Sequence, residues 1–125
     1  MKVIGDDLLA GLMADMRHAA ETALDDLVTD ADIGAERVLS ERLGERLRGV
    51  TIIGEEAGSG DASILSRLEK AELAAVIDPV DGTWHFAHGS PMFGSILAIV
   101  SGGETIAGLI HYPLSGDFLI ARRGG

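Results

Sequence analysis

The sequence predicts an α+β domain in which helices pack on a largely antiparallel sheet, and three observations indicate this fold class. The chain has 125 residues, a length that suits one domain. Apolar residues recur at helical spacing over its first part, whereas its last part holds three strand-like runs separated by turn sequences. Helices followed by a strand meander are typical of layered α+β folds.

Two amphipathic helices are predicted at the start of the chain. The first runs from Asp6 to about Leu24 and the second from about Ala31 to Leu47, before Gly49 ends it. The residues of the second helix predicted to face inward are Ala35, Val38, Leu39, Leu43 and Leu47, and those predicted to face outward are Arg37, Glu41, Arg42, Glu45 and Arg46. Both helices therefore have one apolar face for packing on a sheet.

A strand, a short helix and a second strand are predicted in the middle of the chain. The run "VTIIG" (50–54) is β-branched and leads directly into Glu55 and Glu56. The segment "ASILSRLEKAE" (62–72) has the character of a short helix. "LAAVIDP" (73–79) is typical of a buried strand that ends at Pro79, because proline lacks a backbone N–H.

Three further strands are predicted at the end of the chain. They are "MFGSILAIV" (92–100), "ETIAGLIHY" (104–112) and "DFLIARR" (117–123), separated by the turn sequences "SGGE" and "PLSG". The first two are apolar on both alternating faces, so we expect this sheet to be covered on both sides or to lie against a partner.

The composition of the chain excludes or disfavours several classes of partner and chemistry. Twenty acidic and ten basic residues give a formal charge of −10, which repels nucleic acid and anionic membrane surfaces and calls for a cation if an anionic metabolite is bound. The absence of cysteine excludes disulfides and thiolate chemistry. We see no apolar run long enough to span a membrane and no signal peptide, so a cytoplasmic location is expected.

Four acidic residues lie where predicted elements meet: Asp32 at the start of the second helix, Glu55 after a strand, and Asp78 and Asp81 around Pro79. Carboxylates at strand ends can converge, and Mg²⁺ prefers such oxygen ligands. In "DPVDGT" the turn can aim both aspartates and the Val80 carbonyl inward. A short helix beginning at Gly82 and Thr83 would then offer free N–H groups to phosphate.

Simpler interpretations of these residues stay open at this point. "DPVDG" also suits a type I turn without any ligand. Asp32 could serve only to cap a helix in "TDAD", and Glu55 could be a solvated loop carboxylate. His85 and His88 could bind a transition metal, but their neighbours are carboxylates, which favour harder ions.

Taken together and in order, the motifs resemble those of the inositol monophosphatase family of Mg²⁺-dependent, lithium-sensitive phosphatases. The matching segments are "DLVTDAD" (26–32), "IIGEEAG" (52–58), "VIDPVDGTWHFAHG" (76–89) and "GLIHYPLSGDFLIARRGG" (108–125). The first three of these motifs stand in the right order with similar separations, which makes the resemblance specific. It implies the α+β fold already predicted and a phosphomonoesterase activity on a small phosphorylated metabolite similar to inositol monophosphate.

The resemblance also implies a role for each site residue. Glu55, Asp78 and the Val80 carbonyl would ligate one Mg²⁺, and Asp81 would hold a second that Asp78 bridges. Asp32 and Thr83 would orient and deprotonate the attacking water. The amides of Gly82 and Thr83 would receive the phosphate. Water then attacks phosphorus directly, without a covalent intermediate on the protein.

The sequence departs from the family pattern in three respects. A third aspartate for the second metal and the residues that read the substrate ring belong to a C-terminal α/β half, so residues 1–125 are expected to be the N-terminal domain alone, with that half absent. A lysine expected near Glu21 is missing, and His85 replaces an asparagine. The alternative function is therefore a truncated, non-catalytic cation-binding fragment that self-associates through its exposed sheet. In either case a homodimer is expected.

Overall fold

The computed structural model describes residues 3–26, 31–54, 63–81, 94–112 and 115–124. The helices in these segments are α1 (Asp6–Asp26), α2 (Ala31–Arg46) and α3 (Ser63–Lys70). The strands are β1 (Thr51–Gly54), β2 (Leu73–Asp81), β3 (Gly94–Ser101), β4 (Glu104–Tyr112) and β5 (Asp117–Arg122). Every helix and strand predicted within the described segments is therefore present. The short helix predicted from Gly82 lies outside them.

The strands form one five-stranded sheet in the order β1-β2-β3-β4-β5. β1 and β2 are parallel, paired from Thr51 with Ala74 to Gly54 with Ile77, and α3 lies in the connection between them. β2, β3, β4 and β5 form an antiparallel meander. The predicted α+β class with a largely antiparallel sheet is confirmed.

The hydrophobic core lies between the sheet and the pair α1 and α2. Cross-strand neighbours Ile77, Leu97 and Leu109 point to the same face of the sheet, and all three are buried. The helices bury their apolar stripes against this face. The largest helix residues in the core are Leu12 and Met16 of α1 and Leu39 and Leu43 of α2.

An ion pair between α1 and α2 adds to this packing. Asp15 is only 1% exposed, and its two carboxylate oxygens accept hydrogen bonds from Arg46 Nε at 2.7 Å and Nη2 at 3.1 Å. Arg42 lies 3.5 Å from the same carboxylate. The hydrogen bonds between Arg46 and Asp15 raise the pKa of Arg46 above its usual value. Arg42 and Arg46 were expected only to face outward, yet both reach back from the surface to a buried acid.

The sequence "SGGE" forms the predicted turn between β3 and β4. Gly102 and Gly103 have φ values of 57° and 84°, and Ser101 pairs with Glu104 across the turn. Positive φ at both central residues matches the right-handed twist of a two-residue hairpin and favours glycine. Gly49, with φ of 79°, follows the last turn of α2 as predicted.

β2 continues past Pro79, and the prediction that the strand ends there is wrong. Asp78 pairs with Ile96 and Asp81 pairs with Gly94, so the strand resumes its ladder after an irregularity at Pro79 and Val80. Proline cannot donate a ladder hydrogen bond, which explains why regular pairing stops there. The strand nevertheless keeps its direction for two more residues.

The sheet is covered unevenly. Residues of β3 and β4 alternate between buried and half-buried, so one face lies in the core and the other is partly covered within the described residues. Large apolar side chains exposed in these residues are Val3, Leu119 and Ile120. No helix in the described part of the chain is both long enough and apolar enough to cross a membrane.

Candidate active site

The candidate site lies where the parallel strands β1 and β2 end. Gly54, the last residue of β1, is paired with Ile77, and Asp78 directly follows Ile77. Parallel neighbours end on the same side of a sheet, so the main chain enters the acidic part of both motifs at one place. We call this place the carboxyl end of the sheet, defined by Gly54 and by Asp78–Asp81.

The first half of α2 lies against the carboxyl end of the sheet. The Glu36 side chain occupies the space that a Cβ atom at Gly54 would need, with Oε1 the nearest atom. α2 leads through a bend into β1, so the helix and the strand run in opposite directions. Asp32 precedes Glu36 by one helical turn, about 6 Å along the axis. The backbone of Asp32 is therefore brought to the carboxyl end of the sheet.

The last residues of β2 supply the other predicted ligands. Asp78 and Asp81 lie in the strand on either side of the irregularity, and regular pairing skips Val80. A backbone carbonyl outside the regular ladder suits the ligand role implied for Val80, because carbonyl groups need a partner of some kind.

Predicted site residues thus fall into two groups. Asp32, Asp78, Val80 and Asp81 belong to elements that meet at the carboxyl end of the sheet. The remaining predicted site residues are Glu55, Gly82 and Thr83, and these, like His85 and His88, lie outside the described residues.

The implied donor set fits Mg²⁺ by its chemistry. Three carboxylates and one backbone carbonyl provide only oxygen ligands, which hard divalent cations prefer. Among the side chains that the structure describes, no group of three or more His, Asp or Glu residues could hold a metal ion. The carboxylates implied as ligands are not among those side chains.

The sequence patterns identified neither Glu36 as a residue near the site nor the reason why residue 54 is a glycine. Glu36 follows Asp32 by four residues on a helix, a spacing that puts both on one face and could have indicated a shared environment. The contact between Glu36 and Gly54 joins residues from different elements, and local patterns carry no such information.

His111 is a buried titratable residue near the same end of the sheet, and it has no place in the implied ligand set. It lies on β4 opposite Ser95 of β3, and its ring stacks on Phe118 with centroids 4.3 Å apart. Burial and then the charge of Arg17 lower the pKa of His111 below its usual value. His111 therefore belongs to the buried core of the described structure.

The fold is that of the first half of sugar-phosphatase-type α+β proteins with solved structures. The IMPase of Thermotoga maritima superposes with a TM-score of 0.78 at 26% identity, over 95% of this chain and 49% of that chain. The extragenic suppressor protein suhB of Bartonella henselae superposes with a TM-score of 0.76 at 25% identity, over 98% of this chain and 49% of that chain.

The sequence model of the Inositol monophosphatase family matches residues 2–125, and the chain belongs to this family. The inositol-1-monophosphatase ImpA of Mycolicibacterium smegmatis is 34% identical over 112 residues, which cover 86% of this chain and 38% of that protein. The fructose-1,6-bisphosphatase/inositol-1-monophosphatase of Thermotoga maritima is 33% identical over 104 residues, covering 83% and 37%. The chain thus spans less than half the length of these relatives.

Proposed function

We propose that the chain is the N-terminal domain of a Mg²⁺-dependent phosphomonoesterase that hydrolyses a small phosphorylated metabolite similar to inositol monophosphate. One observation carries the proposal. Gly54 and Ile77 are parallel neighbours in the sheet, and each directly precedes a proposed ligand in the sequence, Glu55 after Gly54 and Asp78 after Ile77. The first half of α2, which begins at Ala31 and contains Asp32, lies against this end of the sheet through the contact of Glu36 with Gly54. Membership of the Inositol monophosphatase family supports the same reaction.

The proposed ligands of Mg²⁺ are Glu55, Asp78, the Val80 carbonyl and Asp81. When bound, the cation supplies charge neutralisation for the phosphate and lowers the pKa of a water molecule. Asp32 and Thr83 orient the attacking water and accept its proton. The amides of Gly82 and Thr83 hold the phosphate oxygens, as free N–H groups at a helix start can.

The chemistry is an in-line displacement at phosphorus. A water oxygen forms a bond to phosphorus while the bond from phosphorus to the ester oxygen breaks, and the alcohol leaves with a proton. Inorganic phosphate is the second product. The net charge of −10 makes a cation necessary in this scheme, because the chain alone would repel a phosphorylated substrate.

An Asp81→Asn substitution tests the proposal. We expect residues 1–125 alone to release phosphate from inositol monophosphate only slowly in the presence of Mg²⁺, and the variant to lose this release, because one ligand loses its charge. Phosphate release is measured with and without Mg²⁺. Asp117→Asn is the matched control, since Asp117 is exposed and lies on β5, which β3 and β4 separate from β2 in the sheet.

Two results would separate the proposed enzyme from the alternative. If the wild-type chain binds Mg²⁺ through Asp81 but releases no phosphate, the non-catalytic cation-binding fragment is supported. The exposed Leu119 and Ile120 favour the self-association that this alternative includes. If Asp81→Asn alters neither binding nor activity, the proposed site is wrong. The cytoplasmic location stays a prediction.

A further inference from the structure

We infer that Glu36 is a positioning residue of the proposed cation site: its carboxylate, seated in the side-chain space of Gly54, fixes the last residue of β1 and adds negative charge to the carboxyl end of the sheet. The inference rests on the proposed function, since it assigns a role toward the cation proposed there. Glu36 is outside the ligand set implied by the motifs.

The Glu36 side chain fills the space beside Gly54. A Cβ atom there would coincide with the Glu36 carboxylate, and the Cγ atom of Glu36 would lie 3.3 Å from it. Gly54 does not have a positive φ, so its backbone conformation is open to other residues. Glycine is therefore needed for the close approach of Glu36, and the two residues form a matched pair.

The pair of Glu36 and Gly54 lies at the carboxyl end of the sheet. Gly54 is buried and is the last residue of β1, directly before Glu55 in the sequence. Its partner in the sheet, Ile77, directly precedes Asp78. The Glu36 carboxylate therefore packs on a pair of strand residues that each directly precede a proposed ligand in the sequence.

The Glu36 side chain is half-buried, so water screens the electrostatic effect of its carboxylate incompletely. Residues that orient metal ligands without touching the metal typically change metal affinity by about 10- to 100-fold. Glu36 is placed to act in both ways, by fixing the strand end and by attracting the cation.

Terbium luminescence provides a test that does not depend on catalysis. Tb³⁺ takes oxygen ligands, and Trp84, the only tryptophan in the sequence, adjoins Thr83 and can sensitise its emission. We expect Glu36→Gln and Glu36→Ala to weaken Tb³⁺ binding by at least about tenfold. Glu41→Gln removes the same charge from an exposed position of α2 and should bind as the wild type does.

A second variant tests the matched pair. In Gly54→Ala the new methyl group takes the place of the Glu36 carboxylate, so we expect a loss of affinity similar to that of Glu36→Ala. In the double variant the space is already vacant, and the two losses should not add. Thermal unfolding without metal shows whether a variant has simply lost its fold.

The outcomes distinguish this inference from the function on which it rests. If the wild-type chain fails to bind Tb³⁺, or Asp81→Asn binds it equally well, the proposed cation site is wrong and this inference falls with it. If Asp81→Asn loses binding while both Glu36 variants stay folded and bind within twofold of the wild type, only the role of Glu36 is overturned.

Discussion

His111 is a buried imidazole whose surroundings disfavour its charged form. It is 3% exposed, and its Nδ1 atom lacks a hydrogen-bond partner in the described structure. Arg17 lies over the Phe118 ring, 5.3 Å from its centroid, while His111 stacks on that same ring. Burial first, and the charge of Arg17 second, lower the pKa of His111 below 6.5.

We predict that His111→Phe removes part of the acid sensitivity of the fold. Because the folded-state pKa is lowered, the unfolded chain binds more protons below pH 6.5. The stability contribution is thus complete above pH 6.5 and is lost as the pH falls toward the lower folded-state pKa. Phenylalanine leaves no unpaired nitrogen, so the variant should also gain about 1 kcal/mol at pH 7.5.

Urea unfolding at pH 7.5 and pH 5 measures both effects. The wild type should lose more stability between these pH values than His111→Phe. His18→Gln, at an exposed histidine of α1, is the control and should follow the wild type. An equal loss of stability in the wild type and in His111→Phe would show that protonation of His111 does not cause the acid sensitivity.

Asp15 shows which single-residue roles remain hidden in a sequence. Its spacing places it on the helical face of Leu12 and Met16, but an acidic residue is usually exposed, and nothing near it in the chain indicates which group would pair with it. Its partner Arg46 is 31 residues away, and only the packing of α1 against α2 brings the two together. Charge pairs of this kind depend on tertiary contacts, whereas the helical face that contains Leu12 and Met16 follows from spacing alone.

Alanine substitutions at two helical glycines, Gly44 of α2 and Gly11 of α1, should change stability in opposite directions. Gly44 is exposed in α2, and a Cβ atom there would meet nothing within 4 Å. Gly44→Ala should therefore raise the free energy of unfolding by about 0.5 to 1 kcal/mol, because alanine restricts the unfolded chain and favours the helix.

Gly11→Ala is the counterpart and should lower the free energy of unfolding. A Cβ atom at Gly11 would press into the Arg46 guanidinium, with Nε 2.9 Å away, and would displace it from Asp15. Separating the buried Asp15 carboxylate from Arg46 lowers the free energy of unfolding by more than the better helix propensity of alanine raises it. We therefore expect a net decrease of about 1 to 3 kcal/mol. Chemical denaturation of both variants is the measurement, and changes of equal sign would contradict the role given to Arg46.

The elements differ in how far their sequences determine them. α1 and α2 begin where the apolar spacing predicts, and "SGGE" carries its own turn geometry. β2 passes Pro79 because Asp81 regains a partner in β3, a contact that the proline rule does not include. The parallel pairing of β1 with β2 likewise depends on the crossover through α3, so the carboxyl end of the sheet could be expected only in outline.

The exposed apolar side chains of β5 and the net charge of the chain have opposite effects on the association of two copies. β5 is the last strand of the described sheet, and Leu119 on it is 59% exposed. An edge strand offers unpaired backbone groups, and an apolar side chain beside them favours pairing with another copy. A net charge of −10 on each copy opposes this association at low salt.

We therefore predict a homodimer through β5 that becomes stronger as salt screens the repulsion. Sedimentation equilibrium at low and high NaCl should show more dimer at high salt for the wild type, and monomer at both for Leu119→Glu, which places a charge in the contact. Thr105→Glu adds the same charge at an exposed position of β4 and should behave as the wild type does. A wild-type monomer at both salt concentrations would show that the edge of β5 does not pair with a second copy.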